Sequence, residues 1–256
     1  MRSLPKPLTG VLVFLGYLVV FYGVWIITGV EYNNLSESSS TILKWIVAPL
    51  AAGAVYLLIA VSALGWWPPA LFEVRKAGPR WLLIGPIVMF LFALLALATS
   101  DKSGVTMAVF WLALLGSVLV GFCEEMATRG ALIVGLRGKL TEPWVWFYST
   151  LLFALLHLPN WIFGAGPAAT LQVLLAFGGG SMLYLTRRLT GSLIFAMGLH
   201  AIWDFSGFLG KASTVSSVMP FVNMILGLVL VTIFLRRERG VHTAQLGVPQ
   251  AEVVAS

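Results

Sequence analysis

The feature that most restricts what this chain can become is the recurrence of long, unbroken apolar runs. Examples are GVLVFLGYLVVFYGVWIITGV at 10–30 and WLLIGPIVMFLFALLALAT at 81–99. A helix of about 20 apolar residues is long enough to cross a hydrocarbon layer of about 30 Å. In lipid, every backbone N–H and C=O must be satisfied inside the structure, which leaves helices and closed barrels. These runs do not alternate as barrel strands do. Only 10% of the residues are charged, against about 25% in a soluble domain. The expected fold class is therefore all-α: a polytopic membrane protein of about eight transmembrane helices, at roughly 9–30, 42–65, 81–99, 105–136, 144–159, 168–186, 191–209 and 217–235. The basic N-terminus resembles a signal peptide, but the run behind it is too long for one and is read as a retained first span.

Several details fit such a bundle. Pro49 and Pro86 fall inside spans two and three, where neighbouring helices can satisfy the freed carbonyls. Trp66, Trp67, Trp81 and Trp144 fall at predicted span ends, as an interfacial belt would. FGGGSM at 177–182 gives span six a small-residue face for close backbone approach. The single cysteine, Cys123, excludes an intrachain disulfide. It is read as a small buried hydrophobe.

Orientation follows from the basic residues. One set of links holds Arg2, Lys6, Arg75, Lys76, Arg80, Arg137, Lys139, Arg187, Arg188, Arg236, Arg237 and Arg239; the other holds only Lys44, Lys102 and Lys211. The positive-inside rule puts the first set, and with it both termini, in the cytoplasm. The charges are thus read as contacts with lipid headgroups, and membrane lipids rather than nucleic acid account for the net charge of +6. The expected location is the plasma (inner) membrane of a bacterium, as an integral multi-pass protein. Residues 1–104 carry no motif, 105–235 form the functional core, and 236–256 are a polar, aperiodic tail with the composition of a disordered segment. His242 lies in that tail and is given no role.

A few ionisable groups lie inside predicted spans: Glu124, Glu125 and Arg129 in span four, His157 in span five, His200 and Asp204 in span seven. Each costs about 2.5–3.5 kcal/mol at mid-bilayer on insertion scales, so they must pair or face a wet cavity. Glu125 and Arg129 are spaced i,i+4 and can pair, as can His200 and Asp204. Glu124 shares its face with Ser117, Gly121 and Thr128, a small polar stripe suited to lining a cavity. At about 1.5 Å per residue, Glu124, His157 and Asp204 all fall about 20 Å from the basic ends of their spans, and His200 about 14 Å. Independent structural polar residues have no reason to coincide in depth.

The patterns EEMATR (124–129), FALLH (153–157) and HAIWD (200–204), in this order on successive membrane helices, resemble the CPBP family of intramembrane proteases. That family includes type II CAAX prenyl endopeptidases and bacterial bacteriocin-processing or self-immunity proteins. The resemblance implies an integral membrane endopeptidase of eight helices, set into the membrane and reached from the cytoplasmic side. It implies Glu124 as catalytic carboxylate, His157 as its partner, and His200 with the residue four later as stabilisers of the transition state. Many members carry Asn at that last position; here it is Asp204, which could accept from the His200 ring and fix its tautomer, or donate when protonated. Its implied partner is a membrane-associated, prenylated or leader-type peptide.

Glutamate-activated and metal-activated water are not separated by the sequence. Glu124, His157 and His200 supply a His₂Glu set that suits zinc, while the H-E-x-x-H signature of zinc proteases is absent. The metal-free version leaves Glu124 free to act as base and is preferred. Glu125 and Arg129 then form a supporting ion pair. Two other readings stay open: a proton- or ion-coupled transporter, since intramembrane Glu, His and Asp also make proton relays, and a non-catalytic immunity or scaffold protein of the same fold.

Overall fold

The structure, a computed structural model, describes residues 3–238. It is helical over 80% of its length, with no strand among the described residues. Eight principal helices follow one another: α1 (Pro7–Thr28), α2 (Ser39–Leu64), α3 (Arg80–Thr99), α4 (Met107–Arg137), α5 (Glu142–Leu155), α6 (Ala168–Thr190), α7 (Leu193–Phe208) and α8 (Thr214–Arg237). Six of them are long and apolar enough to cross a membrane, which makes this an integral membrane protein. The other two are shorter: α5 has 14 residues and α7 has 16. At about 1.5 Å per residue they reach roughly 21 and 24 Å, less than a hydrocarbon core. Both carry residues of the candidate site. Residues 239–256, which include Arg239 and His242, and residues 1 and 2 lie outside the described part.

Local sequence sets the helix ends. Ser38 and Thr41 form a reciprocal capping box at the start of α2, and Ser213 and Ser216 do the same for α8. Thr106 and Ser192 cap α4 and α7 by accepting from Val109 and Ile194 N–H groups. Gly191, at φ +80°, makes the left-handed reversal that folds α7 back beside α6.

Small residues decide which helices touch. A methyl group on Gly121 of α4 would lie 2.4 Å from the Met197 carbonyl oxygen of α7. One on Gly178 of α6 would lie 2.3 Å from Met224 Cα of α8, and one on Gly135 of α4 would lie 2.7 Å from Gly10 Cα of α1. The stripe Ser117, Gly121, Thr128 therefore does not line a cavity. Ser117 and Thr128 are fully buried and bond backward to the carbonyls of Ala113 and Glu124, and Gly121 is the contact point with α7.

The basic residues also differ from expectation. Arg137, Arg187 and Arg188 are buried, not set among lipid headgroups. Glu73, in the link between α2 and α3, accepts from all three: 3.0 Å from Arg137 Nη1, 2.6 Å from Arg187 Nε and 2.5 Å from Arg188 Nη1. Glu142, at the start of α5, takes Arg137 Nη2 at 2.6 Å, Arg188 Nε at 3.3 Å and the Tyr184 hydroxyl at 2.6 Å. Burial raises the Glu73 carboxyl, but the Arg137, Arg187 and Arg188 guanidinium groups outweigh it and hold it well below the usual carboxylate range. Buried charges survive only when paired and hydrogen-bonded, and here the links and helix ends supply those partners. Trp66 is likewise fully buried rather than interfacial, its indole N–H donating to the Ser3 carbonyl at 3.0 Å.

Candidate active site

The site forms where α4, α5 and α7 meet near the middle of the bundle. Gly121 lets α7 come close one turn before the glutamate doublet. Directly after the doublet, α4 widens into a π-helical stretch, Met126–Leu132. Such insertions recur at functional sites, because they re-aim side chains within a helix. Here the stretch carries Arg129.

Glu125 is fully buried and shared. Its Oε1 accepts from Arg129 Nη1 at 2.9 Å and from His200 Nδ1 at 3.0 Å. The i,i+4 pair read from sequence is therefore one arm of a triad reaching into α7. The Arg129 guanidinium also lies over the Phe153 ring, 3.8 Å from its centroid, a cation–π contact in a dry setting. Its other side rests on Gly180 of α6, where a methyl group would come within 2.4 Å of Nη2. The glycine run at 177–182 thus has two uses: Gly178 admits α8 and Gly180 admits a guanidinium. Arg187 Nη1 donates to the Arg129 carbonyl, which ties the site to the ionic cluster at the basic end.

With Nδ1–H committed to Glu125, His200 turns Nε2 toward Glu124 Oε2 at 3.9 Å and Asp204 Oδ2 at 3.8 Å. Glu124 Oε2 is buried and has no protein hydrogen-bond partner among the described residues. Asp204 makes no direct hydrogen bond to the His200 ring, whose Nδ1 is held by Glu125. Three groups from two helices therefore converge at distances suited to sharing one bridging oxygen.

His157 stands at the end of α5, where the helix tightens into a 3₁₀ turn. Its Nδ1 lies 3.2 Å from the Phe153 carbonyl and 3.3 Å from that of Ala154. Donating there leaves Nε2 for the cavity. Phe153 separates the two imidazoles, with ring centroids 5.4 Å from His157 and 5.7 Å from His200. Cys123 is buried on another face, its Sγ 3.2 Å from the Leu50 carbonyl. Among the described residues, no three His, Cys, Asp or Glu side chains stand so as to hold a metal ion. Glu124, His157 and His200 are therefore not arranged as a zinc ligand set.

Two cavities open from this point. One, of 330 Å³, touches His157, His200 and Asp204 and runs along α6. The other, of 170 Å³, touches Glu124 as well and runs between α1 and α2. A polar seam lies between them, absent from any motif: Asn160 Nδ2 donates to Gln172 Oε1 at 2.9 Å, and Gln172 Nε2 to the Tyr32 hydroxyl at 2.8 Å. Neither it nor the second role of Glu125 has a local signature in the sequence.

Comparison with curated proteins finds no match. Comparison with protein families finds one, described as "Type II CAAX prenyl endopeptidase Rce1-like", over residues 106–206. This stretch runs from the cap of α4 to Ser206 of α7 and contains Glu124, Glu125, Arg129, His157, His200 and Asp204. Over the segment that builds the site, the chain is thus similar to the Rce1-like type II CAAX prenyl endopeptidases, in line with the CPBP type that its three motifs resemble.

Proposed function

We propose that this protein is an intramembrane endopeptidase that hydrolyses a peptide bond in a membrane-associated or hydrophobic peptide, prenylated or leader-type. The observation that carries this reading is that Glu124 Oε2 and Asp204 Oδ2 both lie within 4 Å of His200 Nε2, where two cavities share His200 and Asp204 and one of them reaches Glu124. Residues 105–235 act as the catalytic core. All eight helices cross or enter a bacterial plasma membrane, with both termini in the cytoplasm.

A carboxylate removed from bulk water is a competent base. Glu124 takes a proton from water held against it, and His157 orients that water from across Phe153. The water oxygen bonds to the scissile carbonyl carbon, and the carbonyl π pair moves onto oxygen. His200, doubly protonated between its carboxylates, donates Nε2–H to that oxyanion. Asp204 donates a second hydrogen bond when it carries a proton. The cluster holds three carboxyl groups against Arg129 and His200, so one proton on a carboxyl neutralises it. Collapse of the intermediate breaks the C–N bond, and the proton held by Glu124 passes to the leaving amine. Water supplies the hydroxyl added to the acyl carbon and the hydrogen added to the amine, and no redox change occurs.

The test is purified protein in detergent with a panel of lipidated and leader-type peptides, products read by mass spectrometry. Cleavage is expected with the natural chain and lost with Glu124→Ala. Undiminished cleavage by Glu124→Ala rejects the assignment.

A further inference from the structure

We infer that the site is served from the end of the bundle poor in basic residues, outside the cytoplasm and not from the cytoplasmic side that the resemblance of its motifs implies, so that its substrate is a peptide segment presented at the outer face of the membrane. This rests on the hydrolase reading for what happens at the site, but the direction of access stands on separate geometry.

Both cavities run the same way. The larger follows α6 from Leu183 past Gly179 and Leu175 to Ala168, the first residue of that helix. The smaller ends at Tyr32 and Leu35, in the link between α1 and α2, and at Asn160, in the link between α5 and α6. These links lie at one end of the bundle, joined by Tyr32 N–H donating to the Phe163 carbonyl at 2.9 Å. No residue of the links at the opposite end, 65–79, 138–141 or 191–192, lines either cavity.

The opposite direction is filled. Below Glu124 and His200 come Phe153 and the Arg129 guanidinium, packed onto Gly180 without room for a methyl group. Beyond them Leu132 and Ile133 are fully buried. Then comes the ionic cluster of Glu73, Glu142, Arg137, Arg187 and Arg188, closed by the Tyr184 hydroxyl. A substrate entering there would have to break several charge-assisted bonds in a dry setting.

Charge then assigns the two ends. Lys44, Lys102 and Lys211 are the basic residues near the open end, while the rest of the described set apart from Arg129 stands at the closed end. The positive-inside rule places the closed end in the cytoplasm. The open end has a fitting chemistry for an extended chain. Its walls are apolar and aromatic, with Trp25 and Trp45 among them, and the Tyr32–Gln172–Asn160 seam offers amide and hydroxyl groups to a peptide backbone. Because both cavities meet at Asp204 and His200, a chain can occupy one on each side of the bond to be cut.

Single cysteines placed in a Cys123→Ala background test this. Leu175→Cys reports the cavity wall, Lys211→Cys the open end and Arg75→Cys the closed end. Each is treated with a permanently charged methanethiosulfonate, in spheroplasts and in inverted vesicles. Leu175→Cys and Lys211→Cys are expected to react in spheroplasts only, and Arg75→Cys in inverted vesicles only. Reaction of Leu175→Cys from the side that modifies Arg75→Cys overturns the proposal, as does its failure to react from either side, or reaction of Lys211→Cys from the cytoplasmic side. The labelling needs no hydrolysis. Absence of peptide cleavage with the expected labelling would therefore reject the hydrolase reading and leave the direction of access standing.

Discussion

The Glu125 carboxylate of α4 accepts the Nδ1–H of His200 on α7 at 3.0 Å, while the same oxygen holds Arg129 at 2.9 Å. One oxygen thus sets both the orientation of an imidazole and the position of a buried cation. The two demands can be separated. Glu125→Gln keeps an acceptor for His200 but removes the charge opposite Arg129. Small displacements at a reacting centre can cost about 10²-fold in rate, and a loss of that order is expected in kcat with KM little changed. The check is steady-state cleavage of a detergent-soluble peptide. A variant whose kcat is unaltered would mean that a neutral acceptor holds His200 as well as the carboxylate does.

Removing the cation has a different signature. Arg129 is fully buried with Glu125, and breaking a buried pair by deleting one partner costs about 3–5 kcal/mol, because a charge is left unpaired. Arg129→Ala should lower folded yield and thermal stability in detergent more than it lowers turnover in the surviving fraction. Size-exclusion profile and per-molecule activity separate the two. Normal yield with reduced turnover would place Arg129 in the chemistry instead of the scaffold.

Much of this arrangement is legible in the sequence, and the rest is not for physical reasons. Apolar runs reveal helices in a membrane protein because lipid forbids other open structures. Glu124, His157 and His200 stand out because charges are rare at that depth. The partners of Arg187 could not be found that way: Glu73 lies 114 residues away, in a link that reads as solvated. A count of basic residues treats Arg137, Arg187 and Arg188 as headgroup contacts, since nothing local distinguishes a snorkelling arginine from one folded back onto a carboxylate. Helical-wheel spacing puts Ser117, Gly121 and Thr128 on the face of Glu124 but does not tell a face covered by another helix from one that lines a cavity, and the π-helical widening after Glu125 has no composition of its own. Asp204 was matched with His200 by i,i+4 spacing, but the nearer acceptor sits on another helix.

Gly180 offers a test of packing independent of catalysis. An added methyl group would lie 2.4 Å from Arg129 Nη2 and 2.8 Å from the Phe153 ring. Overpacking of this kind costs about 1–3 kcal/mol. Gly180→Ala should lower the melting temperature and displace the guanidinium from the ring, whereas Gly179→Ala, whose nearest contact is the Asn223 amide at 3.4 Å, should be tolerated. Differential scanning fluorimetry of the two variants decides it; equal stability would mean that the guanidinium is not confined there.

Asp204 can be probed by exchange for a neutral donor. Asp204→Asn keeps a hydrogen-bond donor near His200 Nε2 and removes a negative charge from the cluster. Asp204→Ala removes the donor, and loss of one oxyanion donor costs about 10²–10³ in kcat. Asparagine should therefore retain far more turnover than alanine. If the two variants are equally impaired, a carboxylate is required there, and Asp204 acts as acceptor or base.

The ionic cluster makes stability depend on pH in a definite direction. The Glu73 carboxyl is held below its unfolded value by Arg137, Arg187 and Arg188 despite its burial. A group depressed in this way contributes stability that is fully present above the unfolded value, about 4.3, and is lost as pH falls from there toward the folded value. The melting temperature of the natural chain should be level near neutrality and drop steeply below about pH 4. Glu73→Gln should lower it at pH 7, by leaving Arg137 and Arg188 with Glu142 alone and Arg187 without a carboxylate partner, and flatten the acid limb. Melting curves of both proteins between neutral and acid pH give the slope directly. Parallel acid limbs would mean that the proton uptake occurs elsewhere and that Glu73 is not the group linking acidity to unfolding.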